Sequence, residues 1–211
     1  MVTPLINVEM EKLLWRNGFS YPNMVRIRTD MDGSCFFHAI AKSYCKTYIE
    51  GKINDMPINR RTFIRDLRKD LANMLGERIE PNTELTFYES LSRGQFKNFG
   101  IELPQYNFEN MKNLLDSDQS IGNEYNEFIS NVLHKDIYIL DALKQDVYIT
   151  GNDDDILYKG RESIVILFIP GHYELLGIQY GNNIQTLFDY NHPFIHSIRS
   201  RIRKIRNHKN F

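Results

Sequence analysis

The chain is poor in cysteine, with only Cys35 and Cys45 among its residues. If both lie on one helix they are ten residues apart, or about 15 Å. A disulfide needs Cα atoms within roughly 7 Å. Two unpaired thiols point to a reducing compartment, and a cytoplasmic location is expected. Long apolar runs are missing too. The longest, Ile164-Val165-Ile166-Leu167-Phe168-Ile169, is strand length, far short of the ~18–20 residues of a membrane helix. Glu9, Glu11 and Lys12 fall too early for a secretory signal. There are no internal repeats and no low-complexity linker. Charge of one sign is not in surplus either: the net is −1, which favours no polyanionic partner.

What is present is an ordinary globular composition, 42% hydrophobic and 25% charged, with a length that suits one domain. Leu5, Val8, Leu13 and Leu14 suggest an amphipathic helix over 4–17, ended by Gly18. A short extended piece follows at Val25-Arg26-Ile27. Ser34 to about Tyr48 reads as a central helix, apolar almost all round. Asn59 to Glu77 reads as a charged amphipathic helix, with Phe63, Ile64, Leu67, Leu71, Met74 and Leu75 on one face. Further helices are expected over 81–100, 107–116 and 122–133. The pattern then changes. Residues 136–140, 146–150 and 164–169 are β-branched and aromatic at strand length, with partners at 173–179 and 184–188. Residues 151–162 are a polar loop. Helices first and strands mostly last imply an α+β domain, a small mostly antiparallel sheet covered by helices.

Asp32-Gly33-Ser34-Cys35-Phe36-Phe37-His38-Ala39-Ile40 is the most informative stretch. An Asp-Gly turn leads through Ser34, a candidate N-cap, into an apolar helix. Cys35 then meets the free N–H groups and positive dipole end of the helix, a setting that lowers a thiol pKa and favours the nucleophilic thiolate. A buried structural cysteine fits the same stretch.

A cysteine nucleophile needs a general base. His38 shares the helix with Cys35, but its line to the thiol is poor. His134, His192, His196 and His208 read as solvated. His172 instead follows a buried strand and Pro170-Gly171, at a rigid edge. Glu174 is two positions on and faces the same side, so it can orient the imidazole. Both could equally be exposed hairpin residues. His and Cys lack the clustered spacing of a zinc site.

Together these two motifs resemble those of the ovarian-tumour (OTU) family of cysteine proteases. Asp32 to Ala39 looks like that family's nucleophile motif, and Gly171-His172-Tyr173-Glu174 after an apolar strand looks like its histidine motif. The order, Cys then His about 137 positions later, is similar as well. The resemblance implies a papain-like arrangement, a core of about 20–190 in a single domain 1–211, and deubiquitination. Carried over by position, Cys35 is the nucleophile, His172 the base, and Asp32 shapes an oxyanion loop whose donors are N–H groups around Gly33, Ser34 and Cys35. Glu174 stands where the family commonly has Asp or Asn, with Asp189 or Asn191 as substitutes. Tyr173, Gly33 and Ser34 would contact the substrate tail, Phe36 and Phe37 belong to the core, and Asp153, Asp154 and Asp155 could meet basic residues. Ubiquitin, polyubiquitin or ubiquitin-like modifiers are the implied partners, with no cofactor and no metal. A monomer is expected, acting in host cytoplasm if the source is viral.

The basic charge is concentrated at the end. Residues 196–211 hold six of the 26 basic residues and no acid, leaving 20 basic against 27 acidic before them. Ile198, Ile202 and Ile205 share one helical face, which suggests a docked helix with a solvated basic face over 193–207. A nucleic-acid or membrane-surface contact through 199–209 is the other reading. A non-catalytic ubiquitin-binding module is the alternative to the enzyme.

Overall fold

The structure, a computed structural model, describes residues 9–93, 106–149 and 157–209. The start of the expected 4–17 helix, the end of the 81–100 helix, Thr150, the Asp153–Asp155 acids and the tail beyond 209 lie outside these. In chain order the elements are β1 (Met10–Lys12), β2 (Met24–Ile27), α1 (Cys35–Tyr44), α2 (Lys46–Glu50), β3 (Lys52–Ile53), β4 (Met56–Pro57) and α3 (Arg60–Met74). Then come α4 (Phe87–Arg93), α5 (Phe108–Leu115), a 3-10 turn (Asn123–Tyr125) and α6 (Asn126–Leu133). The chain finishes with β5 (Asp136–Asp141), β6 (Asp146–Tyr148), β7 (Ser163–Ile169), β8 (His172–Tyr180), β9 (Asn183–Gln185), β10 (Leu187–Phe188) and α7 (Pro193–Lys209).

Among the described residues eight strands form the main sheet, in the order β1-β2-β8-β7-β5-β6, with β10 beside β7 and β9 beside β8. Of these pairs only β5 and β7 run parallel; the others are antiparallel. β5 and β7 are near-continuous apolar runs because both faces of the sheet are covered. Alternation divides their side chains. Ile137, Ile139, Ile164, Ile166 and Leu175 join Phe36, Phe37 and Ile40 of α1 on one face. Tyr138, Leu140, Val165, Leu167 and Leu176 join Phe194, Ile195, Ile198 and Ile202 of α7 on the other. Burying each of these α7 side chains is worth about 1.5–3 kcal/mol. Arg203 and Lys204 stay exposed on the opposite side of α7. Arg201 is instead drawn to Asp146 of β6, 2.9 Å from its Nε.

Two expected elements differ. Within 9–17 there is no helix: Met10–Lys12 pairs in register with Val25–Ile27, and Leu13 and Trp15 pack on the α7 side of the sheet. A strand partner overrides the local periodicity. The Ser34–Tyr48 helix breaks at Cys45, whose backbone is extended. The hydroxyl of Thr186 donates to the Ser43 carbonyl, which would otherwise serve the next helical turn.

Candidate functional site

The thiol sits on the first residue of α1, 5% exposed. The turn before it is tightly specified. Gly33 has φ +84°, and a Cβ there would run into the Asp118 carbonyl oxygen, so only glycine fits. Asp32 holds the turn from both carboxylate oxygens. Its Oδ1 accepts the Ser34 N–H at 3.0 Å, and its Oδ2 accepts from His38 Nε2 at 3.0 Å. A carboxylate only accepts, so Nε2 carries that hydrogen, and the Tyr48 hydroxyl donates to His38 Nδ1 at 2.6 Å. His38 is fully buried. Burial alone would raise the Asp32 pKa, but the bonds from His38 and Ser34 and the charge of Arg61 outweigh it and hold the carboxyl below its ordinary value.

Arg68 of α3 is the other support, and sequence reasoning missed it. It is 1% exposed. Its guanidinium donates to Ser34 Oγ at 2.8 Å and the Gly33 carbonyl at 3.3 Å. The rest of the fork reaches the carbonyls of Leu115, Leu114 and Gln119, and its Cζ lies 4.9 Å from the centre of the Phe37 ring. One buried cation thus ties the cysteine turn to the end of α5 and the 117–121 loop. A signal existed: Arg68 interrupts the apolar stripe Ile64, Leu71 and Leu75, where a charge has no reason to be unless paired.

Two expectations for this turn are corrected. Ser34 occupies the N-cap position, but its hydroxyl caps nothing and accepts from Arg68. Its N–H is held by Asp32, which removes it from the oxyanion donors. The thiol pKa is raised, not lowered. Burial dominates and the Asp32 charge adds to it, against the N–H groups of Tyr173, Phe36 and Cys35 itself, which favour the thiolate.

His172 opens β8, and the next residue makes the link. The Tyr173 N–H donates to Cys35 Sγ at 3.3 Å across 138 positions of sequence. The His172 imidazole has Nε2 3.3 Å from Thr29 Oγ1 and 4.0 Å from Glu174 Oε1. Glu174 is buried, and its Oε2 lies 3.6 Å from Arg26 Nε, with both atoms lacking a hydrogen-bond partner. Tyr173 was expected to line a substrate slot. Its ring is instead 7% exposed and packed edge-on against Phe36 at 5.2 Å, and 5.4 Å from Phe168. Burial follows from β8's register beside β7, where Tyr173 lies opposite Phe168. Phe36 and Phe37 are core, each 1% exposed. Asp189 and Asn191 do not substitute for Glu174: they bond one another in the turn before α7, with Asp189 beside His192.

Asp30, Asp32 and His38 bring ligand-type atoms within 4.8 Å of one another. Asp32 and His38 already spend those atoms on each other, so the group is a hydrogen-bonded strut. Among the described residues no helix is long and apolar enough to cross a membrane.

No family model and no curated protein matches the chain by sequence. Solved structures do match it. An ovarian-tumour domain in complex with ubiquitin is 20% identical, covers 87% of this chain and 86% of its own, and has a TM-score of 0.47. The OTU domain of OTUD1 is 16% identical, over 73% and 85%, with a TM-score of 0.42. The Hazara virus OTU bound to ubiquitin is 13% identical, over 85% and 96%, with a TM-score of 0.38.

Proposed function

We propose that this protein is a cysteine isopeptidase that hydrolyses the bond after the C-terminal glycine of ubiquitin. The observation that carries the reading is the Tyr173 N–H on Cys35 Sγ, which brings the helix-start thiol to the strand edge that bears the histidine. The ubiquitin part rests on the likeness of Asp32–Ala39 and Gly171–Glu174 to the OTU motifs.

The chemistry follows from the resting state. A buried thiol with a raised pKa stays protonated at neutral pH, so His172 must take its proton as the thiol attacks. The scissile carbonyl becomes a tetrahedral oxyanion. With the Ser34 N–H committed to Asp32, the helix-start N–H groups of Cys35 and Phe36 remain as donors at the thiol, each able to contribute about 3–4 kcal/mol to the transition state. Collapse expels the lysine amine, protonated by the imidazolium, and leaves a thioester on Cys35. Water deprotonated by His172 then frees the enzyme. The polar residues on either side hold this geometry, with Asp32 and Arg68 acting on the turn. Both cysteines are unpaired, which suits the cytoplasm, or host cytoplasm for a viral protein.

A ubiquitin probe with a C-terminal electrophile tests the reading. It should label wild type and fail on Cys35→Ala. Labelling of neither removes the enzyme reading. Binding of di-ubiquitin without cleavage by wild type favours the non-catalytic module. A panel of di-ubiquitin linkages then gives specificity, and a ubiquitin-like modifier carrying the same electrophile gives its breadth.

A further inference from the structure

The geometry points to Thr29, rather than Glu174, as the residue that sets the tautomer and orientation of His172. The inference rests on the cysteine–histidine reading above.

The Thr29 hydroxyl has a single hydrogen. Its Oγ1 lies 2.5 Å from the Tyr173 carbonyl oxygen, which can only accept, so the hydrogen goes there. The same Oγ1 is 3.3 Å from His172 Nε2 and has nothing left to donate. It can only accept, so in the neutral ring Nε2 carries the hydrogen and Nδ1 the lone pair. Nδ1 is then the atom that takes the proton from Cys35 Sγ, giving an imidazolium whose Nε2–H stays on Thr29.

Glu174 is placed worse for this task. It is 4.0 Å from Nε2, outside hydrogen-bond reach. Its other oxygen faces Arg26 at 3.6 Å, and Lys42 of α1 feels its charge. The carboxylate lies in the field of these two cations, and its Oε2 has no hydrogen-bond partner. Thr29, by contrast, is 8% exposed and is positioned by the sheet. The β2–β8 pairing places Ile27 opposite Leu175, and continuing it by two residues brings Thr29 to Tyr173. Among the described residues the polar groups beside the imidazole are Thr29 and Glu174, with Arg26 and Lys42 near the acid.

The test uses the full-length protein with Thr29→Val, which keeps shape and removes the hydroxyl, and Thr29→Ser, which restores it. Alkylation of Cys35 by iodoacetamide at pH 7 needs no ubiquitin, and nitrogen NMR of labelled histidine reads the His172 tautomer directly. Thr29→Val should slow alkylation and lower kcat by about tenfold or more with KM nearly unchanged, and should mix the tautomers. Thr29→Ser should recover both, and Glu174→Gln should lose less than Thr29→Val. A Thr29→Val protein with wild-type alkylation and an Nε2–H ring overturns the proposal while His172→Ala stays slow. If His172→Ala alkylates as fast as wild type, the cysteine–histidine pair itself fails, and the role of Thr29 with it.

Discussion

The thiol side and the imidazole side of the site are built differently. The turn before Cys35 is clamped by a buried guanidinium, a buried imidazole, a carboxylate and a glycine that nothing else can replace. The ring of His172 has a hydroxyl at 3.3 Å, a carboxylate at 4.0 Å and 12% of its side chain exposed. The thiol is thus part of the folded core, while the imidazole stands at the start of a strand and is held lightly. Stability and chemistry should therefore fall together on the thiol side and separate on the imidazole side.

The largest test of this contrast is Arg68→Ala. It leaves the carbonyls of Gly33, Leu115 and Gln119 and the Ser34 hydroxyl without this donor, and the Leu114 carbonyl with Ser117 alone, which should cost about 3 kcal/mol or more in urea unfolding and abolish hydrolysis. Arg68→Ala with wild-type stability would break the comparison. Gly33→Ala comes next, at about 1–3 kcal/mol of backbone strain plus the clash with Asp118, again with activity lost alongside stability. His172→Ala should do the reverse: hydrolysis down on the order of 10³-fold, unfolding free energy changed by less than about 1 kcal/mol. A large stability loss there would show that the two sides are equally structural.

The smallest effect is a pH dependence. The folded pKa of Asp32 lies below its ordinary 3.8, so the unfolded chain binds more protons in that window. The stability Asp32 contributes is present above about pH 4 and disappears as pH falls through the depressed value. Wild type should exceed Asp32→Asn in urea midpoint at pH 7, with the gap narrowing as pH falls below about 4. A gap that does not change with pH as acid is added would remove the ionised carboxylate from the thiol-side clamp.

Local chemistry was enough for much of the chain. An Asp-Gly turn feeding an apolar run marks a helix start wherever it occurs, so Cys35 could be placed from nine residues. An unbroken run from Ile164 to Ile169 is a strand buried on both faces, and Gly171 after it marks the reversal that brings in His172. The spacing of Ile198, Ile202 and Ile205 in the last helix announces a docked face by itself. What could not be read were contacts whose partners are far apart in sequence. Met10–Lys12 becomes a strand only because Val25–Ile27 lies beside it. Thr29 looks like any loop threonine until β2 is laid against β8 and its hydroxyl meets a residue 143 positions away. Glu174 satisfies the i, i+2 rule for reaching His172, yet its carboxylate stops 4.0 Å from the ring, with Arg26 of β2 3.6 Å from its other oxygen. The start of one helix lowers a thiol pKa, but burial beneath β8 is a property of the packed domain, and desolvation there outweighs the N–H groups the local sequence supplies. Periodicity and turn chemistry act over a few residues and are written in order along the chain. Desolvation, charge pairing and the direction of a shared hydrogen depend on which distant segments the sheet brings together.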